Sequence, residues 1–260
     1  MEVVRPDLVP DPDADREAMY ATQHAVADAA RFVDDLPVDP ATVGLDGPTL
    51  SDAAGGASGR ALVAGVDQAF LDDPERAVSA VVVTRGDAVV ERHHAVTPLS
   101  IPYVPGLLAF REGGPALDAL TTLDSDPDLL LVDGSGRIHF RQAGLATHLG
   151  TVLDCPTVGV AKRLLCGRPR EATGGRPAGW RTPIEADEDV DAPNGTVIGY
   201  AYQSRQFDSG VVNPLYVSPG HRVGAATAVD LVERCVGRYK LPEPVRLADK
   251  HADGAKAEYG

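Results

Sequence analysis

The sequence is poor in the residues that cross-link or anchor a chain. Its three cysteines, Cys155, Cys166 and Cys235, are odd in number and show neither a CxxC spacing nor nearby paired histidines. That pattern argues against a disulfide framework and against a structural zinc site, and leaves buried thiols. No apolar run approaches the ~20 residues that span a bilayer. The opening "MEVVRPDLVPDPDADRE" also lacks the basic start and apolar stretch of a signal peptide. A cytoplasmic protein without a membrane partner is the expectation. Lysine is scarce: Lys162, Lys240, Lys250 and Lys256 stand beside twenty arginines, and the formal net charge is -14. Phosphate affinity normally comes from basic groups that release counterions, so this balance argues at first sight against a nucleic-acid partner. Acid is spread through every loop, however, as in proteins adapted to a salt-rich cytosol, where the Debye length shrinks to ~3 Å at 1 M. Net charge would then report the solvent rather than the ligand. A mesophilic acidic enzyme is the other reading.

At 260 residues and 43% hydrophobic content the chain is long enough for one large domain with a real core. Residues 1–60 divide into a helix around Arg16 to Asp34 and a Pro, Asp, Gly and Ala-rich stretch ending in "SDAAGGASGR", read as loop or linker. These residues are expected to dock on a main body of residues 61–260. There "ALVAGVDQAF", "AVSAVVVTR" and "DAVVERHHAV" read as three antiparallel strands, with Gly86-Asp87 suited to a tight hairpin turn. Next come a helix ("GLLAFRE", restarting at Pro115), a strand ("DLLLVDG"), a helix ("QAGLATHLGTVLD") and a strand ("TVGVAK"). That alternation implies parallel strands joined by right-handed crossovers. "TVIGYAYQSR", "PLYVSPG" and a final helix "RVGAATAVDLVERCVG" follow, with residues 168–194 read as a proline- and acid-rich surface excursion.

Three carboxylates stand out. Asp67 lies inside an apolar strand, Asp133 ends another just before Gly134 and Gly136, and Glu112 sits in the helix after "IPYVP". Apolar surroundings make ionisation costly unless a cation compensates, and open α/β sheets bind ligands at the carboxyl ends of their parallel strands. Taken singly, Asp67 also fits a strand edge and Asp133 a cap. Together the three form an oxygen-rich set suited to Mg²⁺ or Mn²⁺. Lys162, ending "TVGVAK", could pair with them or hold a phosphate. His221 in "SPGHR" could orient water, meet a metal or cap the last helix. His139 follows the glycine loop, whereas His148 reads as packed on its helix; His93 and His94 lack suitably spaced metal partners. In "IPYVPGLLAFRE", Pro102 and Pro105 fix their own φ angles and extend the residues before them. Tyr103 and Val104 are thereby set on a stiff projecting turn.

The stretches "AGVDQAF", "IPYVPGLLAFRE", "LLLVDGSG", "GLATHLG", "TVGVAKRLLCG", "NPLYVSPGHRV" and "GRYKLPEPVRLAD" resemble the endonuclease V family, in the same order, over about residues 61–250. The resemblance implies an α/β, RNase H-like mixed sheet flanked by helices, in which the first and fourth strands are neighbours. It implies Mg²⁺-dependent cleavage of DNA containing deoxyinosine, at the second phosphodiester bond 3′ to the lesion, with Mn²⁺ able to substitute. The alternatives are an inosine-specific endoribonuclease, since some members prefer RNA, and a catalytically weak inosine-binding damage sensor. A monomer is expected. Carried over residue by residue, Asp67, Asp133 and Glu112 would hold the metal, with Lys162 and His221 completing the catalytic set. Pro102, Tyr103, Val104 and Pro105 would form a wedge entering the base stack. Gly106, Leu108, Gly134, His139, Gly159 and Leu165 would line the pocket for the flipped base. The chain departs from the family's usual pattern at Ser135, which replaces a histidine in "DGSG", at Phe140 in place of proline, and at Gln142-Ala143 in place of a more basic pair. The long acidic N-terminus has no clear family counterpart.

Overall fold

Long β-branched and apolar runs dominate the middle of the chain, and in the computed structural model they pair into one mixed sheet. The structure describes residues 1–45, 59–207 and 212–260, so most of "SDAAGGASGR" lies outside the described residues. Strands β1 (Leu62–Asp72), β2 (Glu75–Arg85) and β3 (Ala88–Pro98) form an antiparallel meander, turned between β2 and β3 at Gly86-Asp87 with Gly86 at φ 60°. Helix α2 (Leu108–Leu120) leads into β4 (Leu129–Val132), and α3 (Leu145–Leu153) into β5 (Thr157–Ala161). Both strands run parallel to β1, and β1 and β4 are neighbours. The strands β6 (Arg168–Pro169), β7 (Arg181–Glu185), β8 (Val197–Tyr202) and β9 (Leu215–His221) complete the order β3-β2-β1-β4-β5-β9-β8-β7-β6.

Every residue of β4, Leu-Leu-Leu-Val, is buried because both faces of the central sheet are covered. Leu130 and Val132 meet α2, α3 and Val26 of α1 (Arg16–Ala29) on one face. Leu129 and Leu131 meet α4 (Ala225–Arg234) and Val245 of α5 (Glu243–Tyr259) on the other. Asp15 caps α1 by accepting from the Ala18 N–H at 2.8 Å. Cys155, Cys166 and Cys235 are free and buried. Among the described residues no helix is long and apolar enough to cross a membrane.

Three expectations need correction. The helix expected to restart at Pro115 is a single helix, α2, with Pro115 inside it. Burial of Pro115, Ala116 and Leu117 against the sheet offsets the donor that proline removes. Residues 168–194 are not merely a surface excursion, since β6 and β7 extend the sheet beyond β8. Finally, α4 is not the last helix. In α5 the buried stripe is Val245, Ala248, Ala252 and Ala255, at helical spacing but made mostly of alanine.

Candidate active site

Strand alternation sets the geometry. Gly65 faces α5, where a Cβ would lie 2.0 Å from the Pro244 carbonyl carbon and oxygen. Two residues on, Asp67 shares that face. Parallel pairing places Gly65 beside Leu131 and Val66 beside Val132, and Leu131 with Val158. Continuing the alternation past the ends of β4 and β5 brings Asp133 and Lys162 to the same face and the same end of the sheet. The Asp133 N–H donates to the Val66 carbonyl at 2.9 Å, which closes the ladder as β1 and β4 part. A cleft of about 240 Å³ opens there, lined by Asp67, Gln68, Glu112, Asp133 and Lys162 over apolar walls that include Phe70 and Leu145. Glu112 arrives from α2, whose backbone is tied to β1 by Gln68 Nε2 donating to the Glu112 carbonyl at 2.8 Å.

Electrostatically the cleft is short of positive charge. Burial, and then the neighbouring Asp133 charge, push the Asp67 carboxyl well above the ordinary carboxylate range. Burial pushes Glu112 up to about 7, opposed by Arg111 and reinforced by Asp133. Asp67 Oδ1 accepts from the Gln68 N–H at 2.7 Å, while the buried Oδ2 has no partner. The Lys162 ammonium donates to Asp133 Oδ2 at 2.5 Å. Burial would lower the Lys162 pKa, but Asp133, and behind it Asp67 and Asp249, hold it above its usual value. Asp249 of α5 also raises Asp67. It is the residue that reading of the sequence overlooked; its one signal was a place at the end of "GRYKLPEPVRLAD".

A second, smaller recess of about 50 Å³ adjoins the cleft at Leu145, lined by Tyr103, Gly106, Leu108, Ala109, Ser135, His139, Ala143, Gly144, Leu145 and Leu165. Four residues expected in a base pocket, Gly106, Leu108, His139 and Leu165, therefore come together. Gly134 and Gly159 do not line it. A Cβ at Gly159 would meet the Gly134 carbonyl at 2.6 Å and the Gly136 nitrogen at 2.5 Å, so Gly159 supports the Gly134–Gly136 loop from behind. Ser135 stands at the wall where the family's histidine was expected. Gln142, by contrast, is tied into structure, accepting from Arg137 Nε at 2.8 Å and donating to the Asp191 carbonyl at 2.6 Å. Beside the recess, Tyr103 projects with 63% of its surface exposed, between the exposed Pro102 and Pro105. Val104 anchors the turn by packing with Met19, Leu107 and Phe110. Helix α2 starts without a side-chain cap; the Phe110 N–H is taken by the Leu107 carbonyl at 3.1 Å, while the uncapped Leu108 and Ala109 line the recess.

His221 is a further correction. Strand β9 runs antiparallel to β5, pairing Tyr216 with Ala161 and His221 with Thr157, so His221 lies at the far end of β5 from Lys162. Its ring is 3% exposed, with Nδ1 accepting from the Arg31 N–H at 3.3 Å and Nε2 3.0 Å from Asp154 Oδ1. His221 ties the N-terminal segment to β9 and does not reach the carboxylates. His148 is packed as expected, its Nε2 2.6 Å from the Leu8 carbonyl and burial pushing its pKa down to about 4.

The family model for endonuclease V matches residues 50–250. The chain is 61% identical to endonuclease V of Natronomonas pharaonis, over 100% of this chain and 99% of that protein. This relative extends across the acidic N-terminus and overturns the expectation that the segment has no family counterpart. Among solved structures, endonuclease V of Bacillus subtilis matches with a TM-score of 0.79 at 27% identity, covering 100% of this chain and 98% of that one. Endonuclease V of Ciona intestinalis, in complex with a 24mer DNA containing an inosine followed by a ribo-adenosine, matches with a TM-score of 0.68 at 25% identity. That match covers 94% of this chain and 98% of the other.

Proposed function

The chain belongs to the endonuclease V family of metal-dependent DNA endonucleases, and from that premise we propose that it recognises deoxyinosine in DNA and hydrolyses the second phosphodiester bond 3′ to it with Mg²⁺. The observation that carries this reading is the pairing of an acidic cleft with a small adjoining recess that shares Leu145 as a wall, the recess lined in part by an exposed, proline-braced tyrosine. A carboxylate cluster alone would serve any phosphohydrolase. The recess and Tyr103 call for a base and a strand.

The cleft suits a hard divalent cation. Asp67 Oδ2 is buried without a partner, and its carboxyl and that of Glu112 titrate high because burial penalises their charged forms and Asp133 adds repulsion. Among the described residues no three His, Cys, Asp or Glu side chains stand together as a group that could hold an ion by itself, so water and the substrate phosphate would have to complete the coordination. An open set that shares its ion with water and phosphate is what Mg²⁺ favours. Asp67, Asp133 and Glu112 would hold it, and when bound it supplies Lewis acidity toward the scissile phosphate and an acidified water. Lys162 pairs with Asp133 and offers its ammonium to a phosphate oxygen. Gln68 fixes Asp67 through its N–H and α2 through its amide, so the carboxylates from strand and helix hold a common geometry.

The recess has room for about one or two waters at ~30 Å³ each. A purine enters only as Tyr103 moves out of the wall, which couples insertion of the wedge to admission of the base. The uncapped start of α2 at Leu108 and Ala109 suits an acceptor such as the O6 of hypoxanthine, and the tight apolar walls disfavour a base carrying the extra amine of guanine.

The test is cleavage of end-labelled strands carrying deoxyinosine, ribo-inosine or neither, with and without Mg²⁺. A Mg²⁺-dependent nick one nucleotide beyond the deoxyinosine is expected. A nick confined to ribo-inosine would make the protein an endoribonuclease, and lesion binding without turnover would make it a sensor. Tyr103→Ala should lower kcat/KM on duplex substrate by about tenfold or more, the worth of one base–aromatic stack at ~1–3 kcal/mol, with a smaller loss on single strands. An equal loss on both would remove the wedge role.

A further inference from the structure

The base recess is held from behind by the N-terminal helix. Gln23, in the middle of α1, is fully buried although its side chain is an amide. Its Nε2 donates to the Gly106 carbonyl at 2.7 Å, and its Oε1 accepts from Arg141 Nε at 2.7 Å. The Arg141 guanidinium in turn lies 3.8 Å over the ring of Tyr20, one helical turn earlier on α1. The Gly106 carbonyl carries a second contact, 3.2 Å to His139 Nε2. His139 Nδ1 accepts from the Arg141 N–H at 3.2 Å, which fixes the neutral tautomer with its proton on Nε2 and makes that nitrogen the donor to Gly106. One carbonyl is thus held by two buried donors, and both donors are linked to Arg141.

Gly106 is the joint between wedge and pocket. It follows Pro105, lines the recess, and has φ +79°, a left-handed conformation in which a Cβ would also approach Phe140 at 3.1 Å. Glycine at such a joint rotates freely unless its peptide is pinned. The hydrogen bonds from Gln23 and His139 pin it, so they fix how far Tyr103 on one side stands from Leu108 and the start of α2 on the other.

We propose that Gln23 is a positioning residue for base recognition: through the Gly106 carbonyl and Arg141 it holds the wedge and the recess wall at the spacing that admits the flipped base. The inference rests on the recess being the base pocket. It gives the N-terminal helix a part in selecting the substrate, while none of the hydrogen bonds of Gln23 goes to a residue that lines the carboxylate cleft.

The test uses the full chain with Gln23→Leu, which removes both contacts, and Gln23→Glu, which keeps an acceptor for Arg141 and removes the donor to Gly106. Both variants should raise KM for deoxyinosine strands and shrink the ratio of inosine to undamaged-strand affinity by about tenfold or more, the effect of one buried hydrogen bond lost. The kcat at saturation should stay within about twofold, because the cleft is untouched. Equal falls in kcat on every substrate, or wild-type discrimination in a folded Gln23→Glu protein, would overturn the role of Gln23. Wild-type protein that binds inosine and undamaged strands equally would instead sink the pocket assignment, before any variant is compared.

Discussion

Asp67→Asn should abolish strand cleavage while leaving lesion binding in place, and it should raise the melting temperature. The cleavage loss is expected at roughly a thousandfold or more, beyond the about 10²–10³ that one lost oxyanion donor costs. Asparagine keeps the shape of the side chain but takes away the charge that would hold the ion, whereas Asp67 does not line the recess or touch the wedge residue Tyr103 that does. The stability gain has the opposite sign for a physical reason. Burial and Asp133 raise the Asp67 pKa in the folded chain, so ionising it costs folding energy, and a neutral isostere relieves that cost. Each kcal/mol recovered shifts the midpoint by about 2–4 °C in a chain of this size. Activity on labelled inosine strands, fluorescence polarisation with the same strand and a thermal melt check the three parts. A variant within tenfold of wild-type cleavage would remove Asp67 from the chemistry; a lower melting temperature would show the carboxylate to be structural.

Gly65→Val should cost both fold and function without touching a charged group. A Cβ there would stand 2.0 Å from the Pro244 carbonyl carbon and oxygen and 2.5 Å from the Val245 nitrogen. These are backbone atoms of α5 and cannot rotate away, so the helix has to lift off the sheet. Overpacking of this kind costs typically 1–3 kcal/mol, and rigid backbone on the far side sets the expectation at about 3 kcal/mol or more. Lifting α5 also disturbs β1 two residues from Asp67, so cleavage should fall even in molecules that remain folded. Urea unfolding with a parallel cleavage assay measures both. Gly254→Ala, later on the same helix, is the control, because nothing stands within 4 Å of its added methyl. There alanine should be neutral or stabilising by roughly 0.5–1 kcal/mol. A Gly65→Val protein with wild-type midpoint and activity would mean that α5 does not seat where Gly65 permits.

The middle of the sheet was legible because its physics is local. Apolar runs of strand length announce β1, β4 and β5, and a carboxylate or lysine where such a run stops marks the end of the sheet where Asp133 and Lys162 gather. Other features were not local. His221 also follows a strand, but nothing in "SPGHR" says that β9 runs antiparallel to β5, and direction alone decides which end of the sheet receives the residue. Helix α5 buries mainly alanines, whose periodicity is faint beside a leucine stripe, so Asp249 passed unremarked. Gln23 reads as an ordinary polar residue on an exposed helix until Gly106, far along the chain, is seen to need its donor. The Gly134 and Gly159 assignments fell one layer short: Gly159 permits close approach of backbone to backbone behind the wall, and Gly134 faces the Leu145 side chain.

The contact of Gly65 with Pro244 also bears on when the enzyme becomes dangerous to nucleic acid. The first strand of the sheet and its last helix are nearly the whole chain apart, and contacts of such long range close late in folding. Asp67 is synthesised early, but it meets Asp249 only after the sheet has formed and α5 has docked across it. A nascent or partly folded chain therefore carries its acids without the assembled cleft. Nuclease competence is in this sense a property of the finished fold, since neither the first strand nor the last helix assembles the cleft alone.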